Sequence, residues 1–268
     1  MDILIVDRDA LASEMMRSKI EPLGHQVTVE PSKENAVETI SKQAFDIVFL
    51  DPAPLAAPRQ VIVNLRRHGA KYPYIVLSSS SLSGEDAIKA GANDLLAKPV
   101  DPQRLSALLE NGHYMTSLVA RIGDDSEDFP SAGGVIAKSA FNQLFLSAIE
   151  RADRYAERSF IVFIAISNYK ELVELDGSYA ADYAVAKLSQ YLVRLRRQSD
   201  IIGQTAKYEY ALLLQRPVYE TEPMEAANRF ADALSQYDDI VSSGATKVEM
   251  SVTLVDLPVG SKIIEHKF

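Results

Sequence analysis

The chain has 268 residues, 47% hydrophobic and 24% charged, with a net charge of -9, four histidines and no cysteine. This composition excludes wholesale disorder, disulfides, thiolate catalysis and cysteine-ligated zinc, and an isoelectric point near 5.0 argues against a general nucleic-acid binder. The start Met1-Asp2-Ile3-Leu4 has no basic region and the longest apolar run, Phe160 to Ile166, is too short to cross a bilayer, so a cytoplasmic protein with no membrane partner is expected.

In chain order, apolar runs at 3–6, 25–29, 47–50, 74–77 and 95–97 alternate with amphipathic patterns near 10–22, 32–43, 58–68, 83–90 and 101–120. Five strands alternating with five helices predict an α/β domain with a five-stranded doubly wound parallel sheet. Gly24, Gly69 and Gly91 fall where helices should end, and Asp101-Pro102 reads as an N-cap followed by proline. The charged, turn-rich stretch 123–134 marks a break, and the organisation expected is a first domain over 1–120, a linker over 121–134 and a second domain over 135–268. The second domain reads as a helix near 137–157, a strand at 160–166, helices near 168–175 and 179–198, a hairpin near 200–214, a helix near 222–237 and a strand near 247–255. That is an α+β pattern with a mainly antiparallel sheet. Leu105, Leu108, Leu109, Met115 and Leu118 form a stripe on the last helix of the first domain, either core or dimer seam. Tyr179, Tyr183 and Tyr191 have helical spacing and read as packing residues, while Glu171, Glu174 and Asp176 read as a polar helix face.

Ligands of open α/β sheets bind outside the carboxyl ends of the strands. Asp7, Asp9, Asp51, Ser78 and Lys98 all fall at such ends. A carboxylate nucleophile, further acids for a divalent ion, a hydroxyl and a lysine are what aspartyl phosphorylation needs. Over about 1–112 the chain resembles the receiver domain of response regulators, through Val6-Asp7, Phe49-Leu50-Asp51, Leu77-Ser78-Ser79, Gly91-Ala92-Asn93-Asp94 and Ala97-Lys98-Pro99. The resemblance implies Asp51 as phosphoacceptor and a histidine kinase as partner. The family pattern has two adjacent acids after the first strand, the second a magnesium ligand, and here that place is Arg8. Asp9 lies one residue late, Pro52, Pro54 and Pro58 crowd a loop that supplies a metal-binding carbonyl in the family, and Leu95 stands where a switching aromatic is common. Magnesium at this site is therefore doubtful. Arg8 is expected to sit against Asp51 as a fixed counter-charge, making the receiver a dimerisation platform, with phosphorylation of Asp51 as the alternative.

The stretch Ile201 to Leu214 resembles the GGDEF domain of diguanylate cyclases. The family's pentapeptide is represented by Ala206-Lys207-Tyr208-Glu209-Tyr210, so only Glu209 and an aromatic at Tyr210 match it. Ala165 stands for a metal-binding Asp and Val173 for a guanine-reading Asn, while Asp182 matches a second guanine contact. The family pattern also continues into another helix after the position of Phe268. Phosphoryl transfer from GTP requires metal ions bridging the phosphates, so no catalytic residue and no cyclase activity are expected. Arg197 and Asp200 lie five residues before Ala206, the register of the family's inhibitory site for cyclic di-GMP, and Arg229 falls where a second arginine completes it. As a bare pattern Arg-x-x-Asp also occurs at Arg121/Asp124 and Arg229/Asp232, so the weight rests on register alone. The expected function is that of an inactive response regulator, forming a homodimer, that binds cyclic di-GMP at Arg197, Asp200 and Arg229 and signals through a protein partner. A ligand-free scaffold and a phosphorylation-gated adaptor are the alternatives.

Overall fold

The computed structural model describes residues 1–55, 57–129, 131, 133–237 and 244–268; parts of the expected linker and of the segment before the last predicted strand lie outside them. The chain forms two compact units. The first comprises Met1–Arg121, Glu150–Glu157 and Pro258–Gly260, and the second Ile122–Ile149, Arg158–Leu257 and Ser261–Phe268.

The first unit carries β1 (Asp2–Val6), α1 (Ala10–Ile20), β2 (Gln26–Glu30), α2 (Lys33–Lys42), β3 (Ile47–Leu50), α3 (Arg59–His68), β4 (Tyr74–Ser79), α4 (Gly84–Lys89), β5 (Asp94–Ala97) and α5 (Pro102–Gly123). The strands form a parallel sheet in the order β2-β1-β3-β4-β5. The central strands are covered on both faces, so IVFL of β3 and YIVLSS of β4 are buried at every position rather than alternating. Leu4, Val6, Val48, Leu50, Ile75 and Leu77 meet Ile40, Ile62 and Leu65 of α2 and α3 in one core. Because the order reverses between β1 and β3, the loops after these two strands splay apart and open a crevice at their carboxyl ends. Capping fixes the helix starts around that crevice. Asp9 accepts from Leu11 N and Ala12 N at 3.0 and 3.1 Å, Ser32 caps α2, and Ser83 with Asp86 forms a reciprocal capping box on α4. Leu105, Leu108, Leu109, Met115 and Leu118 are all buried within the chain, which makes the stripe on α5 core.

The second unit carries α6 (Lys138–Tyr155), β6 (Ser159–Ile166), α7 (Tyr169–Asp176), α8 (Ser178–Leu195), β7 (Ile201–Ala206), β8 (Glu209–Gln215), α9 (Glu222–Ser235), β9 (Met250–Leu257) and β10 (Lys262–Lys267). Its antiparallel sheet has the order β10-β9-β6-β8-β7. The central strand β6 packs Phe160, Val162, Ile164 and Ile166 against Leu188 and Leu192 of α8 and Phe230 and Leu234 of α9. The sequence pattern missed β10. It is an edge strand with largely exposed residues, so its hydrophobic alternation is weak, and it enters through Gly260 at φ 78°. The tyrosine reading on α8 also needs correction: Tyr179 and Tyr183 are exposed, and only Tyr191 packs, stacked on Tyr237 at 3.6 Å between ring centroids. Asp176 does more than present charge to solvent, because its carboxylate accepts from Ala245 N and Thr246 N at 3.2 and 2.9 Å and anchors that segment.

Candidate functional sites

In the first unit, the parallel sheet brings Asp7, Asp51 and Lys98 together from the ends of β1, β3 and β5. The Lys98 ammonium donates to Asp7 Oδ2 at 2.8 Å and to Asp51 Oδ2. The remaining oxygens are engaged by backbone, Asp7 Oδ1 by Asp9 N at 2.9 Å and Asp51 Oδ1 by Ala53 N at 2.7 Å. Burial works against the Lys98 charge, but its hydrogen bonds to Asp51 and Asp7 and their negative charges hold its pKa above the ordinary lysine value. Ser78 is buried beside them in β4, and its Oγ has no hydrogen-bond partner among the described residues. Asp9 is spent on capping α1.

Two features differ from the sequence expectation. Arg8 is exposed and makes no hydrogen bond to Asp51 among the described residues; the direct counter-ion of Asp51 is Lys98. The cation that sequence reasoning missed is Lys33. It is buried, and its ammonium donates to the Ala53 carbonyl, two residues after Asp51. Burial pushes the Lys33 pKa below the usual lysine value; Asp51 opposes that effect and Arg8 adds to it. A signal was present in the sequence. Lys33 directly follows the N-cap Ser32, at a helix start where the dipole disfavours a cation, so something else must hold it there.

The family implies a divalent cation here, and the donor set does not fit one. Magnesium needs a near-octahedral shell of oxygens. The second acid is Arg8, the Ala53 carbonyl faces the Lys33 ammonium, and Asp7 and Asp51 share the Lys98 ammonium.

In the second unit, the β7–β8 hairpin turns at Lys207 and Tyr208. Register places Ala165 of β6 directly opposite Glu209 of β8, so neither Ala165 nor Tyr208 offers a carboxylate at that end of the sheet. Asp182 of α8 is taken up by the chain's own side chains. Tyr169 OH donates to its Oδ1 at 2.7 Å, and Lys207 Nζ lies 3.1 Å from the same oxygen. Burial disfavours the Asp182 charge, yet those hydrogen bonds and the Lys207 charge hold its pKa below the usual carboxylate value. Tyr169 and Tyr208 stack at 4.7 Å, and Lys207 lies over the Tyr169 ring. Val173 packs against the core, and Glu209 accepts from Thr205 Oγ1 at 2.6 Å.

A second constellation lies at the start of β7 and on α9. Asp200 is buried, and its Oδ2 accepts from Arg197 N at 2.8 Å and from Arg229 Nη2 at 3.3 Å. Arg196 donates to the Asp200 carbonyl at 3.0 Å. Arg197, Asp200 and Arg229 line one open cleft together with Gln215, Glu222 and Glu225. The Nε of Arg229 is buried with no hydrogen-bond partner among the described residues.

A response regulator receiver domain model matches residues 3–110, and a diguanylate cyclase GGDEF domain model matches residues 131–258. The chain is therefore a two-domain signalling protein in which a response regulator receiver domain is followed by a GGDEF domain of diguanylate cyclase-like fold. The transcriptional regulatory protein ZraR of Escherichia coli strain K12 is 31% identical over 156 residues, covering 55% of this chain and 34% of ZraR. The two-component response regulator PhoP of Pseudomonas aeruginosa is 27% identical over 113 residues, covering 41% of this chain and 50% of PhoP. The chain thus spans about a third of the length of ZraR. Among solved structures, a putative response regulator from Chloroflexus aurantiacus is 29% identical, covering 41% of this chain and 95% of that one at a TM-score of 0.38. The GGDEF domain of TpbB, also called YfiN, from Pseudomonas aeruginosa is 17% identical, covering 45% and 70% at 0.37. Among the described residues no helix is long and apolar enough to cross a membrane.

Proposed function

We propose that this protein is a catalytically inactive signalling protein that binds cyclic di-GMP in the Arg197–Asp200–Arg229 cleft and relays the ligand through protein contacts. The observation that carries this reading is the convergence of these three residues, from two separate elements, on one cleft. The chemistry suits a guanine dinucleotide. An arginine fork can grip a phosphate or the acceptor edge of guanine, and carboxylates accept from its N1–H and N2–H donors. Asp200 is already oriented by Arg197 N and Arg229, so little side-chain freedom is lost on binding.

Inactivity follows from the other end of the sheet. Ala165 and Tyr208 replace the two carboxylates that hold the metal ions of GTP chemistry in the family pattern, Glu209 accepts from Thr205, and Asp182 is held by Tyr169 and Lys207. Incubation with GTP and magnesium is expected to yield no cyclic di-GMP. The deciding experiment is calorimetric titration with cyclic di-GMP, with GTP as control. Low-micromolar or tighter binding of the dinucleotide alone is expected, and Arg197→Ala should weaken it by about 2–3 kcal/mol, roughly 30–150-fold. Equal affinity of wild type and variant would remove the site assignment, and no heat with either nucleotide would leave the scaffold reading in front.

The Asp51–Lys98 pair favours one second reading, an adaptor gated by a histidine kinase. It predicts the mass gain of one phosphoryl group after acetyl phosphate treatment, lost in Asp51→Asn; an unmodified wild type leaves the ligand-sensing reading alone.

A further inference from the structure

We propose that Lys33 is a resident cation of the receiver site and does electrostatically what a divalent ion would do there, while Arg8 stands in the place of the second acid such an ion would need. An ammonium is not buried at a helix start without compensation, since both desolvation and the helix dipole oppose it. Lys33 is only 5% exposed, and one backbone carbonyl, that of Ala53, accepts from it. The compensation is the field of Asp51 and Asp7, both of which act on it. The charge count agrees. Two carboxylates, Asp7 and Asp51, face the Lys98 ammonium directly, which leaves one negative charge for the Lys33 ammonium to balance. A magnesium ion added to this set would find no carboxylate charge left uncompensated.

The contact is also mechanical. Lys33 grips the Ala53 carbonyl while Asp51 Oδ1 accepts from the Ala53 amide, so both polar groups of that loop residue are tied down. The turn after Asp51 is thereby held by α2 from one side and by the phosphoacceptor position from the other. The loop geometry is set by the chain itself and does not wait for a metal ion.

The test has two arms on the full chain. In the first, the native wild type is acylated with an amine-reactive reagent and mapped by mass spectrometry. Lys33 should react at least about tenfold more slowly than the exposed Lys42 and Lys89, equally so with and without magnesium. Reaction at the exposed rate, or protection that appears only with magnesium, overturns the proposal. In the second arm, melting is compared in magnesium chloride and in sodium chloride of matched ionic strength. The wild type should show no magnesium-specific rise, whereas Arg8→Asp combined with Lys33→Met should gain one of about 2–4 °C. A saturable rise in the wild type, or a folded double variant blind to magnesium, overturns it. The wild-type measurements do not depend on the variant folding.

Discussion

Asp200 and Lys98 each concentrate a site's electrostatics in one side chain. Asp200 is buried and meets Arg229 at 3.3 Å, so Arg229→Ala leaves its carboxylate with the Arg197 amide alone. The expected cost is about 1 kcal/mol, read from a urea unfolding midpoint. Lys98 predicts a pH dependence of definite sign. Its folded pKa is raised, so its contribution is complete below the unfolded lysine value of about 10.4 and is lost as the pH rises through the folded value. The stability gap between wild type and Lys98→Met should therefore be constant near neutrality and shrink above about pH 10.4. A gap that stays unchanged through the alkaline range would show that Lys98 is not the charged partner of Asp7 and Asp51. Both residues could be picked out in the sequence because each sits at a fixed offset from a strand end or a hairpin tip. Lys33 escaped notice because its partner carbonyl lies 20 residues away, on a loop whose path no local pattern states.

Among the elements, β7 and the hairpin it begins show how packing limits the sequence. Gly203 lies under Phe141 of α6, and a Cβ there would fall 2.5 Å from the ring. Gly203→Ala should destabilise the second unit by about 1–3 kcal/mol, since the ring is fully buried and cannot yield without displacing its neighbours. Glycine is therefore required at this position by close approach, not by backbone conformation. Equal melting of Gly203→Ala and wild type would contradict this packing. The hairpin tip makes the opposite point. Tyr208 stacks on Tyr169, and Tyr169 in turn holds Asp182, a chain of contacts joining the β7–β8 turn, α7 and α8. From the sequence Tyr208 was a departure from a family pattern and Asp182 a match to it, with nothing linking the two. The fold joins them into one packed cluster. Of the elements, only β10 was missed, because an edge strand buries one face against a single neighbour and leaves little hydrophobic pattern to read.

For the whole molecule, two domains with separate cores imply separate responses. Cyclic di-GMP at a hundredfold excess over its Kd should stabilise the GGDEF domain by about 2.7 kcal/mol and raise its melting transition. Arg197→Ala should abolish most of that shift, and a ligand-induced shift unaffected by the substitution would place binding elsewhere. The sequence by itself determined the two-domain order, the parallel and antiparallel sheets and the residues at the strand ends. Hydrophobic period, turn residues and strand-end position are local properties, written within a few residues of each other. Tertiary structure alone decided which charges meet: that Lys98 rather than Arg8 neutralises Asp51, that Lys33 takes the Ala53 carbonyl, and that Tyr169 and Lys207 occupy Asp182. These pairings join residues up to 47 positions apart. Their strength depends on distance and burial, and both exist only once the sheet has brought its strands side by side.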